Sequence, residues 1–91
     1  MITRLTEFRA QPGKEDALKE FLQELVPRIK AIAGCLDCSV LQSSDDAARF
    51  LVREQWTSIE AHAESIKNIP PDLMMKAMTL LAGMPKGEYW N

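Results

Sequence analysis

The chain opens on an alternation. Ile2, Arg4, Thr6, Phe8 and Ala10 share one parity, and Thr3, Leu5, Glu7 and Arg9 share the other. A period of two is what a strand imposes on its two faces, so residues 2–10 are predicted as a strand. "QPGKED" ends it, because Pro-Gly marks a turn and acidic residues suit the start of a helix. From Lys14 to about Ala33 the period changes. Ala17, Leu18, Phe21, Leu22, Leu25, Val26, Ile29 and Ile32 form one broad helical stripe. Pro27 removes a hydrogen bond from that helix, but the stripe keeps its phase, which predicts one kinked helix with Gly34 as its C′ residue.

"CLDCSVLQS" then reads as a second strand and "SSDDAA" as a polar turn. "RFLVREQW" reads as a third strand, with Phe50, Val52, Glu54 and Trp56 on one face. The short connection makes these two strands an antiparallel hairpin. In "TSIE", Thr57 and Glu60 have the spacing of a capping box, so a helix is predicted from Ser58 to about Lys67. "NIPP" stops it, Asp72 to Ala82 forms a third helix, and "KGEYW" is a short last strand. The order β-α-β-β-α-α-β predicts an α+β, ferredoxin-like fold: an antiparallel four-stranded sheet with helices on one face. No repeat, linker or low-complexity segment divides residues 1–91, which read as a single domain.

Such a sheet should be polar on its open face. Here both faces mix apolar and charged side chains, Leu5 against Phe8 and Leu51 against Val52. The third helix leaves only Lys76, Thr79 and Gly83 as a polar strip. A short chain with this much uncovered apolar surface is expected to form a two-fold homodimer through the open sheet face.

Composition narrows the partners. With 46% apolar and 26% charged residues the chain is an ordinary globular protein. A net charge of −2, from eleven Lys and Arg against thirteen Asp and Glu, gives no electrostatic reason to expect nucleic acid. No apolar run is long enough to span a membrane, and "MITRLTEFRA" has no signal-peptide core, so a cytosolic protein is expected. The C-x-x-C of Cys35 and Cys38 follows a helix and enters a strand. There, residues three apart face opposite ways, so structural thiols are expected rather than a redox pair. One histidine without a Cys or carboxylate at ligand spacing argues against a metal site.

The run from "EFRAQPGKEDALKEFL" through "AGCLDCSVLQ" to "FLVREQWTSIEAHAES" resembles the antibiotic biosynthesis monooxygenase domain family over about two-thirds of the chain. Order and spacing carry the resemblance, not any single motif. It implies a ferredoxin-like protomer whose sheets pair in a dimeric α+β barrel. It also implies a range of chemistries: cofactor-free oxygenation of aromatic quinols, haem degradation, and isomerisation of a small phosphorylated signal. The sequence departs from the haem-degrading branch. Its first strand has no Asn, and Ile66 stands where that branch has His.

His62 is the natural catalytic candidate. On a helix of ~100° per residue, Ile59, Ala63 and Ile66 centre the apolar stripe and His62 lies about 60° from it. That places an imidazole at the rim of a cavity, as a general base for a phenol or enediol proton or as a structural hydrogen-bond partner. Trp56 would stack on a planar substrate or cap the core, and Glu54 shares its face, with Arg4 as a partner. Met74, Met75 and Met78 are suited to an adaptable wall. Together with Phe8, Val40 and Trp56, they are expected to line an apolar pocket between helices and sheet. Arg9, Arg49 and Arg53 should line the opposite face, in interface ion pairs. The leading reading is a cofactor-independent monooxygenase of a small aromatic or quinol-type substrate. A non-catalytic ligand-binding or stress-response dimer and an isomerase using His62 remain as alternatives.

Overall fold

The computed structural model describes all residues, Met1–Asn91. The elements are β1 (Ile2–Arg9), α1 (Glu15–Lys30), β2 (Cys35–Gln42), β3 (Arg49–Trp56), α2 (Ile59–Ile66), α3 (Pro71–Leu80) and β4 (Lys86–Trp90). The strands form one antiparallel sheet in the order β2-β3-β1-β4. This is the α+β, ferredoxin-like arrangement, with the helices on one face. No helix is long and apolar enough to cross a membrane.

The strand periodicity sets the layering. Phe50, Val52, Glu54 and Trp56 of β3 are all buried, while Leu51, Arg53 and Gln55 between them are half buried on the open face. Leu18, Phe21 and Leu22 of α1 pack on Cys38, Phe50 and Val52, closed at the end by Ala10, Leu80 and Leu81. Removing either buried leucine of α1 would cost about 2–5 kcal/mol, the range for emptying a core site.

That core occupies only one end of the covered face. At the other end, under α2, lie Trp56, Glu54, His62 and Ser65, all buried yet outside the apolar cluster. One sheet face thus has an apolar half and a polar half.

Several local expectations need correction. The regular part of α1 ends at Lys30, so Gly34 is not its C′ residue. Gly34 instead turns the chain into β2 at φ +92°, where glycine is favoured. A Cβ there would also sit 2.8 Å from the Ala61 Cβ, so Gly34 lets α2 approach closely. A bulge between Cys35 and Asp37 shifts the register of β2: Cys35 pairs with Trp56 and Cys38 with Glu54. Those partners share a face, so the two thiols share one as well, rather than opposing each other. Both remain free, and burial pushes Cys38 up to about 12. The cap of α2 is Ser58, whose Oγ accepts from the Ala61 N–H at 3.1 Å, and not Thr57.

The largest correction concerns α2. Its apolar stripe faces outward: Ile59 and Ile66 are exposed, and the inward face carries His62 and Ser65. The Ala61–Gly34 approach fixes this rotation, because a small side chain must meet the glycine. In α3, Leu73, Ala77 and Leu80 face the core, while Met74, Met75 and Met78 are exposed, so the protomer buries one side only.

Candidate functional site

The polar half of the covered face is assembled from four elements. Arg4 comes from β1, Glu54 and Trp56 from β3, His62 from α2, and Tyr89 from β4. The ladder sets their proximity, since Arg4 is opposite Glu54 on one side and Tyr89 on the other. All three therefore project to the same side of the sheet.

Glu54 and Trp56, two residues apart on one strand, are joined by a buried hydrogen bond. The indole Nε1–H donates to Glu54 Oε1 at 2.8 Å. Trp56 is fully buried, and an indole N–H that deep requires an acceptor. Glu54 is only 8% exposed, and burial pushes its carboxyl above the usual range; the Trp56 N–H and the Arg4 charge pull the other way without cancelling this.

His62 sits between two aromatic rings. Its centroid is 5.4 Å from that of Trp56 and 5.4 Å from that of Tyr89, edge to face in both cases. Nδ1 shares a 2.7 Å hydrogen bond with Tyr89 Oη, and Nε2 lies 4.0 Å from Glu54 Oε1. The Ser65 hydroxyl donates to the His62 carbonyl at 2.6 Å. Burial and then the Arg4 charge lower the imidazole pKa below 6.5, so His62 is neutral at physiological pH. A neutral imidazole held at one nitrogen has the other available to take or give a proton.

Of the residues singled out in the sequence, Glu54, Trp56 and His62 come together. His62 is buried more deeply, at 6% exposure, than a position on the rim implies. Phe8 and Val40 pack against the apolar core instead. Met74 and Met78, 51% and 56% exposed, do not converge with them on one pocket. A concavity of about 240 Å³ lies on the open side near Glu7, Leu41, Arg49 and Leu51. A smaller one, about 60 Å³, separates α1 from α3.

Arg4 does not form the expected ion pair with Glu54. Its guanidinium carbon lies 4.6 Å from the Tyr89 ring centroid. Arg9, Arg49 and Arg53 pair within the protomer, with Asp46, Glu7 and Asp37. Tyr89 escaped the sequence reading altogether. Its signal was present in "KGEYW", where Gly87 and Tyr89 share a parity that Lys86, Glu88 and Trp90 do not.

The fold and this four-element cluster define a ferredoxin-like α+β protein with a buried imidazole at one end of its sheet. The family model for antibiotic biosynthesis monooxygenase matches residues 1–68, and the chain belongs to that family. No curated protein gives a match. Among solved structures, a candidate antibiotic biosynthesis monooxygenase from Nitrosomonas europaea superposes with a TM-score of 0.87 at 20% identity, covering 100% of this chain and 97% of that one. A Pseudomonas aeruginosa protein is 30% identical with a TM-score of 0.82, over 98% and 90% of the two chains. A Mycobacterium tuberculosis protein gives 0.84 at 18% identity, over 99% and 92%.

Proposed function

We propose that this protein is a homodimeric, cofactor-independent monooxygenase of a small aromatic or quinol-type substrate, with His62 as its base. The observation that carries this reading is the neutral, buried His62, held at Nδ1 by Tyr89 between two aromatic rings. In the Nδ1–H tautomer the imidazole donates to Tyr89 Oη, and the Nε2 lone pair is left to accept a proton. The Tyr89 hydroxyl hydrogen is then free to donate to a substrate oxygen. Tyr89, half buried, supplies an aromatic edge for a planar ring, and Trp56 backs the imidazole from the core side.

Proton transfer to His62 leaves an electron-rich substrate anion. That anion passes one electron to O2, the resulting radical pair joins as a peroxide anion, and this takes back the proton held by His62 to become a hydroperoxide. Loss of a second substrate proton, with cleavage of the O–O bond, leaves one oxygen atom as a carbonyl and releases the other as water. The substrate supplies every electron, so no reductant is needed. Burial favours this sequence because it keeps bulk water from the anion.

In this reading the second copy covers the open sheet face. Leu5 and Leu51 are half buried there, and Leu41 and Trp90 are about half exposed, which leaves apolar surface for a partner. Beside them Arg49 pairs with Glu7 and Arg53 with Asp37.

Oxygen consumption with a panel of hydroquinones tests the reading. Turnover by the native protein, lost in His62→Ala with the fold and assembly intact, is the expected result. Unchanged turnover in the variant removes His62 as the base. Exchange of substrate protons without oxygen uptake transfers the site to the isomerase reading.

A further inference from the structure

Arg4 is the charged group of the cluster that makes no hydrogen bond. Its Nε is buried and unpartnered, and its guanidinium enters no ion pair. Glu54 is opposite it in the ladder, but the Glu54 Oε1 is occupied by the Trp56 indole. An arginine free to swing would carry its head to water. Arg4 instead is pinned. On one side lies the Tyr89 ring, which offers the cation partial compensation. On the other lies Gly87, where a Cβ would overlap the guanidinium. Gly87 therefore makes a slot that any other side chain would fill. The slot is on β4, the outer strand, where Arg4, Gly87 and Tyr89 are only half buried.

We infer that Arg4, seated over Gly87 against Tyr89, is the anion-binding group of this site, and that the ligand is a planar acid presenting an oxyanion to the guanidinium. A guanidinium is the side chain best matched to a planar oxyanion. This rests on the reading that the ligand binds beside His62. It names the substrate class: either a ring with a permanent carboxylate, or a phenol or enol whose anion is formed by loss of its proton to His62. In the second case Arg4 holds the charge that proton transfer creates.

The single histidine gives a direct readout. The titratable and charged groups facing His62 are Arg4 from β1, Glu54 from β3 and Tyr89 from β4. Arg4 disfavours the imidazolium, so an anion bound to Arg4 should raise the His62 titration midpoint. The probes are benzoate and 2,4-dinitrophenolate, with benzamide and 1,3-dinitrobenzene as neutral counterparts. The His62 ring signals are followed by NMR.

The expected result is an upward shift with an anion and none with the neutral probes. Response to benzoate identifies a permanent acid as the ligand class; response to dinitrophenolate alone identifies a phenolate. In Arg4→Gln the unliganded midpoint should already be raised, and anion affinity should fall about tenfold or more. Gly87→Ala should lose the same affinity while keeping the arginine, because the added methyl displaces the guanidinium from its seat. Its thermal unfolding should stay near that of the native protein. The inference is overturned if neither anion shifts the titration, or if both variants bind the anions as tightly as the native chain. Anion binding that persists without oxygen uptake by any hydroquinone rejects the oxygenase and leaves Arg4 in its role.

Discussion

Three buried titratable residues, His62, Glu54 and Cys38, have protonation states set by different surroundings. His62 is held below 6.5 by burial and by Arg4. The unfolded chain therefore binds the extra proton first, and native stability rises with pH up to about 6.5. Glu54 is raised above 4.5, chiefly by burial. Here the native state holds the proton longer, so stability falls as pH rises from 4.5 through the raised value. The two slopes oppose each other. Glu54→Gln keeps an acceptor for the Trp56 N–H and removes the second slope, so chemical denaturation should show it gaining on the native protein as pH rises through that window. Glu54→Ala strands the indole N–H and should lose about 1–3 kcal/mol at every pH. Cys38, buried and pushed up to about 12, should not react with a thiol reagent in the native state and should react fully in denaturant.

At the scale of elements, the corner between β3 and α2 decides where His62 points. Ser58 caps the helix, and Ser58→Ala should cost about 1 kcal/mol in thermal or denaturant unfolding, while Thr57→Ala should cost less. Gly34→Ala has two faults, a left-handed φ and a close approach to Ala61. It should destabilise the protein and displace α2, with loss of the His62–Tyr89 bond visible in the His62 NMR signals. Strand β3 was legible to the residue, because four buried positions of one parity have no other periodic explanation. Helix α2 was legible as a helix but not in its rotation. Ile59, Ala63 and Ile66 make the obvious buried stripe, yet the small Ala61 against Gly34 and the His62–Tyr89 bond turn that stripe outward. The bulge in β2 was equally hidden. One extra residue reverses the facing of Cys35, and nothing in "GCLDC" announces it.

At the scale of the whole molecule, the covered and open faces of the sheet differ in character. The covered face holds the core and the cluster. The open face carries Leu5, Leu41, Leu51 and Trp90 among intramolecular ion pairs. A charge placed in the centre of such a surface should prevent its burial. Leu51→Lys is expected to sediment as a monomer where the native chain sediments as a dimer, with little change in the circular dichroism of the fold. A native chain that is monomeric at micromolar concentration would remove the proposed dimer. The pocket expected from Phe8, Val40, Met74 and Met78 fails at this scale. The first two are absorbed by the apolar core and the methionines lie on the outer side of α3.

The sequence by itself determined the element order, the faces of β1 and β3, and the family. Those follow from local periodicity, turn chemistry and spacing, which each segment carries within itself. It also brought Glu54 and Trp56 together, since two residues of one parity on one strand must share a face. Only the tertiary structure decided that Arg4 and Tyr89 join them, because strand order places β1 between β3 and β4. It alone turned His62 inward against the apolar pattern of its own helix. Hydrophobic periodicity predicts which side of a helix would prefer burial. The rotation actually adopted depends on a glycine 27 positions away from Ala61 and a tyrosine 27 positions away from His62, and no local window contains either.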